Sequence, residues 1–573
     1  MNEIPSKTGM SLFEAEKGKL AQVINEAHLK SKDYAGFTHF IKGDISGIQE
    51  FIFNVKSEKA AKTLKARSYF IEALSHICIQ LISDALNGNI KTLYNGGGNF
   101  YLFVDEEING ALPKIRSAIN KACQHSEFYV TLSVINEISA FKNFGEQVWQ
   151  RIQEQSAKDK LTKFTNFLGV FDAYPVPMPQ DWYRFTPAFR KANGAAVTDK
   201  GSMESRVTDS QMEVFGHTLS LSPLSSGKIS YKHSIVNKIP IWEDTLIDQY
   251  DEALNRFYSG NEEDRPQKER SEVIEFSELA SVMAKTRTGT GKLAVLKMDI
   301  DGLGSIFDEV KSVADAGSVS ASFKWFYDYF MFRLQQQFFT WQKTQKDGTV
   351  KAVAEAFKDN IYTVFSGGDD CFLLGGWDAV FEFARKFHFE FAAFTAFLKT
   401  HIQALRNKNL TISAGLIVVD PQFPIVRFAK LAEEALEKSK SRTVKNVVKK
   451  NAITVFDQTL TWEEFENAAT LSNQLRKLIQ EKGESRAILE RIKRSATGYE
   501  HLQRRALKGE VPAPQVSRLF YYLRNVKKEN LDDMGIIMQR YANSLITAFQ
   551  NHETVNPMTF PVGARWAEFL TRS

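Results

Sequence analysis

The sequence predicts an α+β protein built from two ferredoxin-like domains, a linker domain between them and an α-helical C-terminal domain. Three observations carry this. Two segments follow the same strand–helix–strand–strand–helix–strand order, read from apolar periodicity. Their openings align, "KGDISG" with "KMDIDG", and so do their hairpins, "YNGGGN" with "FSGGDD". Beyond residue 458 the apolar spacing is helical throughout.

Residues 1–36 form an N-terminal extension. The first palm domain, 37–164, opens with "FTHFIKGDISGIQEFIF" (37–53), a helix over 59–86 and a hairpin "IKTLYNGGGNFYLFV" (90–104). A helix (110–124), an alternating strand "FYVTLSVINEI" (128–138) and another helix complete it. The linker domain, 165–280, is irregular by its turn signals, with "YPVPMPQDW" and "SGNEEDRPQKERSE". The second palm domain, 281–457, opens with "KLAVLKMDIDGLGSIF" (292–307) and a helix rich in Phe and Trp (320–343). Then follow the hairpin "IYTVFSGGDDCFLLGG" (361–376), a helix (378–400), a strand (410–420), a helix (426–440) and a strand (451–456). In the helical domain, 458–573, "PAP" at 512–514 marks a helix boundary.

Aligning the two copies sets Asp44 against Asp299, Ser46 against Asp301, Gly98 against Asp369 and Asn99 against Asp370. The chain therefore reads as an internal duplication whose second copy keeps its acids and whose first is degenerate.

Of 573 residues, 43% are hydrophobic and 25% charged, ordinary for a globular protein of several domains. No long uncharged apolar run predicts a membrane span, and the N-terminus lacks the basic-then-apolar layout of a secretory signal. Three scattered cysteines, Cys78, Cys123 and Cys371, give neither a disulfide framework nor a metal ribbon, so a cytoplasmic protein is expected. Net charge is only +5, but Lys and Arg cluster at 56–68, 438–450 and 491–509. Each run singly reads as a solvated helix face; together they make a phosphate-rich partner plausible.

The chemistry lies in the second copy. Asp299 and Asp301, two apart at a strand end, fall on one face. Gly302 lets the backbone turn and a phosphate approach closely. The hairpin turn Ser366-Gly367-Gly368 carries Asp369 and Asp370 next to Asp299. Adjacent carboxylates repel, and burying one unpaired is costly, so a cation is implied. A hard-oxygen cluster suits Mg²⁺ or Mn²⁺ completed by substrate phosphates. Two ions ~4 Å apart would activate a hydroxyl and stabilise leaving pyrophosphate, which is nucleotidyl transfer. Taken alone, an Asp-x-Asp is commonly a cap or turn, and Gly-Gly-Asp is good hairpin chemistry. Both on neighbouring elements of one sheet favour the metal. Lys440, Lys449 and Lys450 are placed to reach a triphosphate, with a solvated basic helix end as the competing reading of each. "RTGTGKL" (287–293) is set aside as a phosphate loop, because Leu293 follows Lys292 where Ser or Thr is needed and a strand follows.

These motifs resemble the large polymerase/cyclase subunit of type III CRISPR effector complexes, particularly the Csm kind. The resemblance rests on "GDISGIQEFIF" with "LKARSYFIEAL", on "KMDIDGLG", on "FSGGDDCFLLGGWD" and on "AEEALEKSK…KKNAITVF", and spans roughly residues 37–456. It implies two palm (nucleotidyl cyclase) domains packed face to face with ATP between them. Asp299, Asp369 and Asp370 would be catalytic and hold a two-metal Mg²⁺ or Mn²⁺ site. Nucleotide contacts would come from Ser366, Gly367, Gly368, Asp301, Gly302 and Lys440, with Ser46, Gly97 and Asn99 near the acceptor nucleotide. The implied activity is conversion of ATP to cyclic oligoadenylate when target RNA binds the guide-loaded complex. Implied partners are the small subunits, the backbone subunit next to the guide 5′ end, guide RNA and target RNA, with no membrane. Many members of the family begin with an HD nuclease; here the first palm starts by residue 37 and no His-Asp dipeptide occurs, so no nuclease is expected. The three cysteines also exclude the zinc site of many members, so no zinc is expected. The alternatives are ATP conjugation to another acceptor such as S-adenosylmethionine by the same site, a stand-alone GGDEF-like cyclic-dinucleotide synthase, and a non-catalytic scaffold subunit. Against the GGDEF-like reading, Cys371 stands where that motif places Phe.

Overall fold

The first sheet is organised by β1 (His39–Ser46), buried along nearly its whole length because it has a neighbour on each side. With β2 (Lys91–Gly96), β3 (Asn99–Val104) and β4 (Tyr129–Ile135) it forms an antiparallel sheet of order β2-β3-β1-β4. Helices Ile48–Phe53 and Ala60–Ala85 join β1 to β2, and Ile108–Cys123 joins β3 to β4. That is the ferredoxin-like arrangement. A helix Gln150–Leu161, entered through a π turn at Gly145–Trp149, follows β4.

The computed structural model describes residues 11–34, 36–55, 60–123, 129–138, 141–162, 211–214, 217–220, 240–257, 268–270, 272–344, 350–444, 447–495, 521, 524–551 and 556–572. Most of the expected linker domain and the Pro-rich boundary at 512–514 lie outside them. Within the linker span, β5 (Gln211–Val214) pairs with β6 (His217–Ser220), and a helix covers Asp244–Phe257.

The second sheet repeats the first and extends it. β7 (Leu293–Ile300) is central; after it come a hairpin of β8 (Phe338–Thr344) and β9 (Val350–Ala356), then the hairpin β10 (Ile361–Gly367) and β11 (Asp370–Gly376), and then β12 (Ile412–Val419). A small hairpin of β13 (Thr443–Val444) and β14 (Val447–Val448) precedes β15 (Ala452–Val455) and β16 (Gln458–Thr461), and the sheet order is β10-β11-β7-β12-β15-β16. β12 and β15 are parallel, joined by the helix Ile425–Lys440, as a parallel pair requires a crossover.

The register repeats between the two sheets. Asp44 lies opposite Asn99, and Asp299 opposite Asp370. Both hairpins carry an irregularity at the same place, between Thr92 and Tyr94 and between Thr363 and Phe365. Both central strands end in a left-handed glycine that starts a helix, Gly47 (φ 86) and Gly302 (φ 72).

Two expectations change. The Phe- and Trp-rich helix runs over 313–335, with a π turn at Trp325–Phe330, and stops there; Phe338–Thr344 is a strand. Aromatic and β-branched residues in "FFTWQKT" favour extended chain, and the partner β9 lies just downstream, so pairing overrides the helical reading. The second sheet also continues through β16, past the expected boundary at 457.

The C-terminal helices are fastened to this sheet. Thr559–Leu570 packs along Trp462–Gln480, and its Trp566 and Phe569 meet Phe381 and Trp377 edge-on at 4.6 and 5.3 Å. At the other end of the chain the helix Leu12–Lys30 seats chiefly on the second half. The buried Glu390 caps it, accepting from the Leu12 and Phe13 amides at 3.0 and 2.9 Å.

The two halves are in contact through their turns and flanking rings. A Cβ on Gly97 (φ 58) would lie 3.3 Å from the Gly367 carbonyl oxygen, so the two hairpin turns abut. Phe53 packs on Phe372 (4.6 Å between rings) and Trp149 stacks on Phe307 (4.5 Å). The Gly145 amide donates to the Val310 carbonyl at 2.6 Å.

Candidate active site

Asp299 is the penultimate residue of β7, flanked in register by Asp370 on β11 and Ser413 on β12. Two residues earlier on the same face, buried Lys297 pairs with Glu433. Two helical turns beyond Glu433, Lys440 reaches Asp299 at 2.9 Å. The last crossover helix thus projects a Glu and a Lys onto the acid end of the central strand.

The turn is held from beneath. Gly368 takes a left-handed conformation (φ 74), which Gly adopts without strain. The Asp369 carbonyl accepts from the Ile300 amide at 2.9 Å and from the Tyr327 hydroxyl at 3.1 Å. Ser366 donates to the Tyr327 carbonyl, also at 3.1 Å. Tyr327 belongs to the π turn of the preceding helix, a local irregularity often found at functional sites.

Asp301 takes a different place from the one expected. It is buried and accepts from Thr411 Oγ1 and Ser413 Oγ at 2.8 Å each and from the Asn451 amide at 3.0 Å. Its carboxylate ties β7, β12 and the approach to β15 together. Gly302 is the left-handed cap of the helix Leu303–Glu309.

All three remaining acids are held above the ordinary carboxylate range. Burial first, and then Asp369, push Asp299 up to about 6 against the pull of Lys440. Burial and Asp369 push Asp370 up to about 8, with Lys297 opposing. Asp369, exposed at the tip of the turn, is raised as well, by the protein bulk around the turn, with Lys440 and Lys297 pulling it down. In chemistry this donor set fits a hard divalent cation, which takes carboxylate oxygens. Among the described residues no three His, Cys, Asp or Glu side chains already converge on one point; Asp299 is engaged by Lys440 instead.

The first half holds the same framework with different charges. Lys160 pairs with Asp44 at 2.7 Å, Lys42 approaches Asp44 at 3.4 Å, and Lys42 donates to Gln153 Oε1 at 2.7 Å. Lys42, Asp44, Gln153 and Lys160 therefore stand where Lys297, Asp299, Glu433 and Lys440 stand in the second half. The spacing along both strand and helix is the same. Asn99 lies opposite Asp44, Gly97 touches the second turn, and Ser46 ends β1 opposite Tyr129. Sequence reasoning missed Lys297, Glu433 and Tyr327, and with them Lys42, Gln153 and Lys160. The recurring Lys-x-Asp on both central strands was the available signal.

Comparison with known families falls on the same two sheets. Residues 37–173 match the family model for Csm1 subunit domain B, and residues 292–449 match that for Cas10/Cmr2, second palm domain. Along both sheets the chain is thus similar to large Cas10/Csm1-type subunits. A similar protein from Methanocaldococcus jannaschii, a CRISPR system single-strand-specific deoxyribonuclease Cas10/Csm1 of subtype III-A, is 27% identical over 492 residues, which is 74% of this chain and 59% of that protein. One of the same description from Thermococcus onnurineus is 24% identical over 449 residues, 70% of this chain and 53% of the relative. The chain thus spans between half and three-fifths of these Cas10/Csm1 relatives. Two solved Csm1-Csm4 cassettes share the fold. The one in complex with one ATP has a TM-score of 0.62 at 18% identity, covering 95% of this chain and 72% of that one. The one with cA4 has a TM-score of 0.62 at 17% identity, covering 94% and 70%. Among the described residues no helix is long and apolar enough to cross a membrane.

Proposed function

We propose that this chain is a Cas10/Csm1-type signalling nucleotidyltransferase of a type III CRISPR effector complex, making cyclic oligoadenylate from ATP when target RNA is bound. The observation that carries the reading is the abutting pair of turns, one acidic and one not, on two sheets of the same topology. An asymmetric pair of this kind suits two nucleotides in different roles, a donor activated at Asp299, Asp369 and Asp370 and an acceptor held against the first turn. The solved cassettes with ATP and with cA4 support ATP as the substrate.

On this reading residues 37–164 are the acceptor palm, 165–280 the linker, 281–457 the catalytic palm and 458–573 the helical domain. Asp299, Asp369 and Asp370 would hold Mg²⁺ or Mn²⁺, which on binding would acidify the attacking 3′-hydroxyl and neutralise charge on the α-phosphate and departing pyrophosphate. Lys440 would meet the donor triphosphate. Ser366, Gly367 and Gly368 would border the nucleotide, in a turn that Gly97 and the Tyr94 hydroxyl of the first half also approach. Asp301 and Gly302 would keep Asp299 in register. Ser46, Gly97 and Asn99 would line the acceptor side. A Csm4-type neighbour, the small subunits and the guide–target duplex would be the partners.

The test is mass spectrometry of products formed from ATP and Mg²⁺ or Mn²⁺ by the purified complex, with and without matching target RNA. Target-dependent oligoadenylates are the expected result, and they disappear with Asp369→Ala plus Asp370→Ala in an intact complex. No nucleotide product from a correctly assembled complex overturns the reading.

A further inference from the structure

Four positions recur in the two halves, and one of them changes its charge: Gln153 stands where Glu433 does. Around Asp44 stand two ammonium groups, Lys42 and Lys160, and one neutral amide, Gln153. The positions matching Asp369 and Asp370 are Gly98 and Asn99. One carboxylate faces two lysines, so this end of the first sheet repels a cation. Around Asp299 the same two lysine positions, Lys297 and Lys440, are outnumbered by carboxylates: Asp299, Asp369, Asp370 and Glu433, with Glu437 beside Lys440.

The two lysines of the second half differ in freedom. Lys297 is only 5% exposed and is locked onto Glu433 beneath the acids. Lys440 lies in the last turn of its helix, is 24% exposed, and touches Asp299 at 2.9 Å. Glu437, one turn back and open to solvent, already stands 3.6 Å from the same ammonium, a second resting place for it. The Lys440 bond holds Asp299 while no three carboxylates converge. An ammonium and a divalent ion cannot share one carboxylate without strong mutual repulsion.

We propose that Lys440 is a place-holder for the cation: it occupies the Asp299 end of the acid cluster in the metal-free chain and is expelled toward the nucleotide phosphates when the ion arrives. The inference rests on the functional reading above and deepens it. Metal arrival and phosphate contact become one event, because the group that binds phosphate is freed only when Asp299 turns to the ion. In the first half Lys160 is the unreleased form of the same contact, since no further acids are present to draw an ion there.

The experiment measures Mn²⁺ binding without nucleotide, by loss of the free-ion electron paramagnetic resonance signal. It compares the full chain with Lys440→Met, Lys440→Arg, Lys160→Met and Asp369→Ala plus Asp370→Ala, each checked for folding by circular dichroism. We expect Lys440→Met to bind Mn²⁺ on the order of tenfold more tightly at unchanged stoichiometry, because a competing positive charge is gone. Lys440→Arg keeps the competitor and stays near the parent affinity. Lys160→Met gains no Mn²⁺ site. If the parent binds Mn²⁺ and Lys440→Met binds it equally or more weakly, the place-holder is overturned while the functional reading stands. If neither binds Mn²⁺, or the double Asp variant binds as well as the parent, both fall.

Discussion

The phenol hydroxyl of Tyr327 donates to the main-chain carbonyl of Asp369 at 3.1 Å, from a buried ring on the helix behind the turn. Because the Ile300 amide shares that carbonyl, Tyr327→Phe leaves it with one partner and the turn loosely held. A net hydrogen bond is worth about 0.5–1.5 kcal/mol, and we expect a stability loss in that range by urea unfolding. The turn carries the proposed catalytic acids, so turnover falls several-fold with little change in the KM for ATP. A KM rise at unchanged turnover would contradict this positioning role.

Gly97→Ala tests the contact between the halves. The residue adopts φ 58 and its missing Cβ would sit 3.3 Å from the Gly367 oxygen. A left-handed L-residue costs roughly 1–2 kcal/mol, and the crowding adds to it. We expect oligoadenylate synthesis to fall steeply while Mn²⁺ binding at the second turn persists, since the acids are untouched. Loss of both together would mean that the turns fold as one unit.

Arg287 is fully enclosed. It donates to Asp378 through Nε and Nη2 at 2.5 and 2.8 Å, to Glu355 at 2.9 Å and to Asn360 at 2.7 Å. Asp378 is the last residue of the "GGWD" stretch, which the structure therefore assigns to holding β8–β9 and β10 to the core rather than to chemistry. Removing one partner of a buried ion pair strands the other, at about 3–5 kcal/mol. Arg287→Met is expected to lower the unfolding midpoint accordingly. Arg287→Lys restores little, because an ammonium cannot reproduce the two-pronged contact with Asp378.

Glu568 near the C-terminus gives a pH signature. Burial works to raise its carboxyl, but the bonds from Lys493 and Arg565 outweigh it and hold the group down to about 2. A carboxylate depressed in the folded state contributes stability above its unfolded pKa, near 4.5, and that contribution disappears as pH falls toward 2. Thermal midpoints of the parent and Glu568→Gln are expected to differ at pH 6 and to converge between pH 4.5 and 2. A constant gap across that window would assign the glutamate a purely steric role.

Asp299, Asp369 and Asp370 were legible in the chain because glycines and paired acids interrupt apolar strands, a local pattern that buried strand chemistry alone does not produce. The βαββαβ order and the duplication were legible for the same reason: strand and helix periods are local properties. The strand at Phe338–Thr344 was not, because a short aromatic run takes the conformation of whatever pairs with it, and β9 is its partner. Asp301 reads in sequence like its neighbour Asp299. Only the fold brings Thr411, Ser413 and Asn451 to it and closes it off. Lys297 and Glu433 look like any solvated strand or helix charges, and the meeting of Lys440 with Asp299 is unreadable, until β7 and the helix Ile425–Lys440 pack together. Which residues carry charge and which segments repeat can be read from the chain alone. The tertiary structure decided which of those charges meet, because electrostatic partners more than a hundred residues apart are chosen by packing, and burial then sets how strongly each one acts.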